Sequence, residues 1–115
     1  MMKIKHPRLN DYNLNYVSLF GPENNVYLRG RVKRKFIELP PYWEDFVNLN
    51  TLSIHLTEIG SKQDVFVKGI QGTNIYLQTN GMPVDCYYLI IGERSDIPRN
   101  RAEQRDGPLD DEEET

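Results

Sequence analysis

Residues 51–57 alternate strictly between polar and apolar side chains, and this pattern constrains the fold of the chain more than any other feature. The apolar members, Leu52, Ile54 and Leu56, point to one side of an extended backbone, and the polar members point to the other. A period of two is typical of a strand that is buried on one side only. The pattern therefore predicts an antiparallel sheet that covers a core.

Runs of apolar, aromatic and β-branched residues elsewhere predict seven further short strands, separated by turn-forming glycine, proline and asparagine. The eight predicted strands cover residues 4–6, 16–20, 26–33, 36–39, 52–58, 65–70, 75–78 and 86–92. A tight hairpin is predicted at Gly72, and one short helix is predicted over residues 41–47, where Glu44 and Asp45 favour a first turn. We therefore predict an all-β fold, either a small antiparallel β-sandwich or an open barrel, with one short helix.

The balance of charge changes near residue 97. Residues 98–115 carry seven acidic side chains against three arginines and offer almost nothing to bury, whereas residues 1–97 are close to neutral. A segment of this composition cannot offset its ordering entropy by burial. We therefore expect residues 1–97 to form one β domain and residues 98–115 to be a disordered acidic tail.

The sequence contains no motif typical of catalysis or of cofactor binding. The single cysteine, Cys86, lies in an apolar run and is expected to be a buried thiol. The two histidines, His6 and His55, have no partners at the spacing of metal ligands, and neither a phosphate loop nor a nucleophile elbow is present. We therefore predict a protein that is not an enzyme and has no catalytic residue, cofactor or metal. No apolar run approaches the roughly 18 residues of a membrane span, so no membrane insertion is expected.

Four cations fall on alternate positions of the strand predicted at residues 26–33 and its extension. These candidate basic-face residues are Arg29, Arg31, Lys33 and Lys35. Such a face can bind phosphates, nucleic acid or an acidic partner, or it can simply be solvated. The near-neutral charge of residues 1–97 favours a solvated face and disfavours nucleic acid, and contact with the acidic tail is a third interpretation.

Aromatic and aliphatic side chains mark a candidate interface. Trp43 is expected in the core of the protein, with a subunit contact as the alternative for it and its neighbour Tyr42. The run from Tyr87 to Ile91 is apolar on both faces, which favours a central strand covered by a second layer, either from this chain or from another subunit. The candidate interface residues are Tyr42, Trp43, Tyr87, Leu89 and Ile91.

Two turns are candidates for exposed recognition loops, because recognition residues concentrate on loops held by a rigid scaffold. The candidate loop residues are Pro22, Glu23 and Asn24 in the first turn, and Asn80, Gly81 and Met82 in the second.

Six short segments, taken in order, carry a family resemblance. They are KIKHP (3–7), GPENNVYLRG (21–30), IELPPYW (37–43), LTEIG (56–60), VFV (65–67) and GERSD (92–96). Together they resemble a β domain of tailed-phage tail-fibre and related virion structural proteins, with one departure at Glu58, where that family commonly has proline. The resemblance spans residues 3–97. It implies a non-enzymatic virion protein, made in the host cytoplasm, that forms a homo-oligomer, with a trimer favoured.

The resemblance also implies partners, namely other tail or fibre proteins and a host-surface receptor for the exposed loops. Three alternatives stay open at this stage. The chain could be a β-barrel that binds single-stranded nucleic acid with its cations and tyrosines, a glycan-binding head, or a factor for fibre assembly.

Overall fold

A computed structural model describes residues 2–17, 21–100 and 103 of the chain. In chain order the elements are β1 (Met2–Lys5), β2 (Asn13–Tyr16), β3 (Asn25–Val32), β4 (Phe36–Glu38), α1 (Trp43–Phe46), β5 (Val47–Glu58), β6 (Phe66–Gln71), β7 (Asn74–Gln78) and β8 (Cys86–Arg94). Every strand pairing is antiparallel. The predicted all-β class with one short helix is confirmed, and no sheet of the described residues closes into a barrel.

The strands form three separate sheets. β1 and β2 form a two-stranded hairpin, β3, β8 and β5 form one three-stranded sheet, and β4, β7 and β6 form the other. β8 is the middle strand of its sheet, hydrogen-bonded to β3 on one side and to β5 on the other. The prediction of a central strand at residues 87–91 is therefore confirmed.

One core joins the two three-stranded sheets and α1. Its most deeply buried members are Ile37, Leu39, Trp43, Phe46, Val47, Ile75, Cys86 and Ile90. Full burial of an aliphatic or aromatic side chain of this size contributes about 1.5–3 kcal/mol, so this cluster holds the sheets together. Cys86 is buried as predicted, and burial raises the pKa of its thiol.

The helix and the strand after it differ from the prediction. α1 has only four residues, and β5 begins at once with Val47, five residues before the predicted start of that strand. β5 breaks register between Asn48 and Ser53. There the Asn48 side chain accepts a bond from the Asn50 N–H, and the Thr51 hydroxyl donates to the Asn48 carbonyl. These side-chain bonds replace part of the regular ladder, so the alternating pattern begins only beyond them.

The hairpin of β1 and β2 lies closer to the start of the chain than expected. Part of the strand predicted at residues 16–20 falls on residues 18–20, which lie outside the described residues. The hairpin is fastened to α1 by the Arg8 guanidinium, which donates to Asp45 at 2.6 Å and to Glu44 at 2.9 Å. The hydroxyls of Tyr16 and Tyr42, 2.7 Å apart, add a second link.

Gly92 gives β8 room to pack closely on β5. A Cβ at Gly92 would lie 2.6 Å from Val47 Cγ1 and 2.9 Å from Leu52 Cδ2. Any larger residue at this position would push β5 away from the sheet. The tight hairpin predicted at Gly72 is also present, with two residues between β6 and β7 and a φ of 61° at Gly72, which favours glycine.

Contacts with the domain continue slightly beyond the predicted boundary at residue 97. The Asn100 side chain donates to the Pro22 carbonyl at 2.8 Å, and Arg99 pairs with Glu93 at 3.2 Å. Most of the predicted acidic tail, residues 101–102 and 104–115, lies outside the described residues. In the described part of the chain, no helix has the length and hydropathy needed to span a bilayer.

Candidate functional site

The outer side of the sheet formed by β3, β8 and β5 is the candidate functional site, which we call the open face. Because the three strands are in register, its side chains stand in three rows across the sheet. The rows are Tyr27, Ile91 and Ser53; Arg29, Leu89 and His55; and Arg31, Tyr87 and Thr57. The apolar members on β8 thus run down the middle, between a cationic strand and a polar strand.

The open face leaves large apolar side chains uncovered. Tyr87 is 54% exposed, Tyr27 is 46% exposed and Leu89 is 36% exposed. A shallow depression of about 530 Å³ crosses this surface between Arg29, His55 and Tyr87. Exposed apolar patches on soluble proteins mark contacts with partners or ligands, and tyrosine and arginine are the residues most enriched at such contacts.

The inner side of the same strands determines which side chains reach the outer side. Ile90 and Cys86 of β8 are fully buried beneath it, and Gly30 of β3 leaves the space that the Tyr88 ring occupies, since a Cβ there would lie 2.7 Å from the Tyr88 hydroxyl oxygen. A strand whose inner residues are locked in the core presents its outer residues at fixed positions. The register of the three strands therefore fixes which side chains make up the open face.

An ion pair fixes one corner of the open face. The Arg31 guanidinium donates two bonds of 2.9 Å to the two carboxylate oxygens of Asp85, and it lies 5.9 Å from the centre of the Tyr87 ring. The hydrogen bonds from Arg31 lower the pKa of the Asp85 carboxyl. Arg29 has no ion pair among the described residues, so of the two arginines it is the one with an uncompensated charge.

The predicted basic face is corrected by the structure, because β3 ends at Val32. Lys33 and Lys35 do not continue the strand. They lie with Arg34 in the turn to β4, which we call the cationic turn, where the chain crosses from one three-stranded sheet to the other. The four cations therefore form two groups: Arg29 and Arg31 on the open face, and Lys33 and Lys35 beyond its edge.

The predicted interface residues also divide into two groups. Tyr87, Leu89 and Ile91 come together on the open face as expected for one surface. Trp43 has no exposed surface and belongs to the core, as expected, so the alternative that placed it at an interface is corrected. Tyr42 is half-buried, and burial and the hydrogen bond with Tyr16 raise the pKa of its hydroxyl. It serves the junction between α1 and the hairpin of β1 and β2.

The two candidate recognition loops lie far apart. Residues 22–24 precede β3 beside the end of β8, whereas residues 80–82 precede the start of β8. The nine residues of β8 separate them by about 30 Å, at about 3.3 Å per residue. Pro22, Glu23, Asn80, Gly81 and Met82 are exposed, and Asn24 is half-buried. The loops cannot contribute to one compact binding site.

Three features of the surface escaped prediction from the sequence. Tyr27 belongs to the open face, and the period of two could have placed it there with Arg29. His55 joins the same face, with its Nε2 3.0 Å from the Ser53 hydroxyl. Exposed apolar side chains also lie on the strands β6 and β7, where Phe66 is 50% exposed, Ile70 42% and Tyr76 36%. By register Phe66 and Tyr76 share one side of this sheet, whereas Ile70 stands opposite the buried Ile75 on the other side.

The open face combines groups that can make several kinds of non-covalent contact. It offers aromatic and aliphatic surface, two guanidinium groups and hydroxyls on the strand edges. Among the described residues, no three His, Cys, Asp or Glu side chains converge in a way that could hold a metal ion. The fold and this surface together define an antiparallel β protein with an open sheet face. No family model, curated protein or solved structure matches this chain.

Proposed function

We propose that this protein is a non-enzymatic structural component of a phage virion, in a tail fibre or a tail-attached assembly, and that copies of it associate through the open face. The observation that carries the proposal is the exposure of Tyr87 and Leu89, beside the half-buried Ile91, on the central strand β8. Burial of these side chains supplies the driving force for association. The assignment to a phage virion rests on the sequence resemblance over residues 3–97.

A trimer is the assembly that we favour. A closed ring of three copies brings two different surfaces of each copy into contact with its neighbours. Phe66 and Tyr76, exposed on one side of the other three-stranded sheet, are suited to be the other half of that contact. A stable interface buries roughly 800 Å² on each partner, so a second contact surface adds to the area that the open face contributes. The exposed loops at residues 22–24 and 80–82 are then free to meet other virion proteins or a host receptor.

The test is the native mass of the protein by light scattering over a range of concentrations. We expect a homo-oligomer for the natural sequence and a monomer for Leu89→Arg, which places a charge in the centre of the open face. Leu9→Arg is the matched control, because Leu9 is exposed in the connection between β1 and β2 and lies off the open face. A protein that is monomeric at every concentration contradicts the proposed mechanism.

A second candidate function is favoured by one observation. Tyr27 and Tyr87 flank Arg29 and Arg31 on an exposed antiparallel sheet, and tyrosine platforms beside cations bind single-stranded nucleic acid. The net charge of −3 opposes this function. Fluorescence anisotropy with a labelled single-stranded nucleic acid at low salt decides between this function and the structural function proposed above. Binding that is weakened by Arg29→Glu and by salt supports the nucleic-acid function, and an unchanged signal eliminates it.

A further inference from the structure

The outer edge of β5 over residues 51–57, which we call the β5 edge, has no strand beside it. Among the described residues β5 pairs with β8 alone, so the N–H and C=O groups that point away from β8 have no ladder to join. On the inner side of this stretch Leu52, Ile54 and Leu56 are only half-buried, whereas Ile90, the partner of Ile54 on β8, is fully buried. Backbone and side chains alike therefore leave room for a further strand.

The β5 edge lacks the devices that protect the other edges of the two three-stranded sheets. Charged side chains, very short strands and bulges discourage pairing with another chain. β3 carries Arg29 and Arg31, β4 has only three residues, and β6 carries Lys68 at a break in its register. Residues 51–57 contain no Lys, Arg, Asp, Glu, Pro or Gly, and the break in the register of β5 lies before Ser53. Of these edges, the β5 edge is therefore the best suited to accept a strand.

The sequence of the β5 edge, TLSIHLT, reads nearly the same in both directions, and this identifies the strand that fits it. Two copies placed antiparallel with Ile54 opposite Ile54 bring together Thr51 with Thr57, Leu52 with Leu56, and Ser53 with His55. Opposed threonines stabilise antiparallel strands, and no like charges face each other. The leucine and isoleucine pairs cover apolar surface that is half-exposed in a single copy. The Ser53 hydroxyl and His55 Nε2 lie 3.0 Å apart within one copy, so the two groups are also complementary between copies.

We propose that two copies of the chain pair through the β5 edge, antiparallel and in the register that places Ile54 on a two-fold axis. The two three-stranded sheets then become one sheet of six strands. Because the two-fold axis is perpendicular to the sheet, equivalent sides of the two copies stay together, and the two open faces join into one continuous surface. The contact uses an edge and not the open face, so it does not rest on the proposed function.

The pairing of two edges alone is a small contact, since an isolated pair of strands is at best marginally stable in water. We therefore expect it to be short-lived in dilute solution, where Leu89→Arg is monomeric by light scattering, and to need a disulfide that traps it. A disulfide requires two Cα atoms about 4.4–6.8 Å apart, and residues directly opposite in an antiparallel pair are about 4.5–5.5 Å apart. Trapping therefore reports the register of the pair as well as its existence.

The test is disulfide trapping in the Leu89→Arg background, where association through the open face is blocked. One protein carries Ser53→Cys and the other His55→Cys, both at exposed positions. Mild oxidation of the mixture should give a heterodimer, which intact mass spectrometry identifies. Cys86 has no exposed surface and stays unreacted. Thr57→Cys alone is the matched control, because Thr57 is exposed on the same edge but lies about 20 Å from its counterpart in the paired copy, six residues at about 3.3 Å each.

We expect the heterodimer, and no Thr57→Cys homodimer, at equal protein concentration and oxidation time. Equal yields of the two would show random collision, and absence of the heterodimer would show that the edges do not pair in this register. Either result overturns the proposal. A natural sequence that is monomeric by light scattering contradicts association through the open face and leaves the expected trapping unchanged, so the two proposals fail separately.

Discussion

At the scale of single residues, Gln63 needs an explanation first, because it is a polar side chain that is only 2% exposed and its polar atoms need hydrogen-bond partners. Its amide donates to the carbonyls of Asp85 at 2.9 Å and Ile59 at 3.1 Å, and its oxygen accepts from the Asp85 N–H at 2.9 Å. One side chain thus joins the loop after β5 to the residue that precedes β8. Asp85 in turn holds Arg31, so Gln63 also supports one corner of the open face.

We predict that Gln63→Ala lowers the free energy of unfolding by about 3 kcal/mol, because it leaves several buried backbone groups without a partner. Urea denaturation measures the change. Gln78→Ala is the control, since Gln78 is exposed on β7 and substitutions at such sites stay within about 0.5 kcal/mol. Equal effects of the two substitutions would show that the bonds of Gln63 do not stabilise the fold.

Glu58 fastens the same loop from its other side. Its carboxylate accepts bonds from the N–H groups of Gln63 at 2.8 Å and Val65 at 3.2 Å, and these bonds lower the pKa of the Glu58 carboxyl. Neither bond is possible without a side-chain carboxylate or amide oxygen at this position, so Glu58 has a structural role in this loop.

This lowered pKa predicts a pH dependence of stability. The stabilisation from ionised Glu58 is complete above the unfolded-state pKa of about 4.3 and is lost as the pH falls through the lower pKa of the folded protein. We therefore expect Glu58→Gln to be less stable than the natural sequence at pH 7, with the difference shrinking on acidification below about pH 4. Thermal melts across this range measure it, and a difference that is the same at pH 7 and pH 3 contradicts the assignment.

At the scale of elements, the close approach of β8 and β5 depends on Gly92. We predict that Gly92→Ala destabilises the protein by about 1–3 kcal/mol, the usual cost of overpacking, because the new methyl group meets Val47 and Leu52. Gly69→Ala on β6 is the control, since a Cβ there has nothing within 4 Å. The double variant Gly92→Ala with Val47→Ala should lose less stability than the sum of its single changes, as denaturant titrations can show. An additive result contradicts the proposed clash.

The elements also show which parts of the sequence were informative. The regular part of β5 and the hairpin between β6 and β7 were predictable, because an alternating pattern and a glycine turn report local geometry directly. The start of β5 was not, since side-chain bonds around Asn48 interrupt the ladder. The end of β3 was missed for a related reason: alternating cations continue past Val32, although the backbone turns there toward the second sheet.

The candidate site was predictable only where it follows a pattern. A run that is apolar on both faces placed Tyr87, Leu89 and Ile91 on a central strand, and the structure brings them together. No local pattern distinguishes a buried aromatic residue from an interfacial one, so the sequence left an interface open as the alternative for Trp43, which the structure places in the core. Gln63 carries no sequence signal at all, because its burial depends on Asp85, which is remote in sequence.

At the scale of the whole molecule, association through the open face has a thermodynamic signature. If copies associate in the folded state only, mass action stabilises that state, and the melting temperature rises with protein concentration. We predict this rise for the natural sequence and a melting temperature independent of concentration for Leu89→Arg. Calorimetry at several protein concentrations measures the melting temperature of each protein. The same dependence on concentration in the natural sequence and in Leu89→Arg contradicts association through this face.

The position of β8 in the middle of its sheet has a consequence for the order in which the protein is made. β3 and β5 begin at Asn25 and Val47, and the strand that pairs with both begins only at Cys86. During translation these two strands leave the ribosome with no neighbour in their sheet, and their apolar sides stay accessible to other chains until β8 emerges. Pairings between such distant segments also form slowly, and unpaired strand edges promote aggregation. A nascent chain that stalls before Cys86 is therefore the form of this protein most in need of a chaperone.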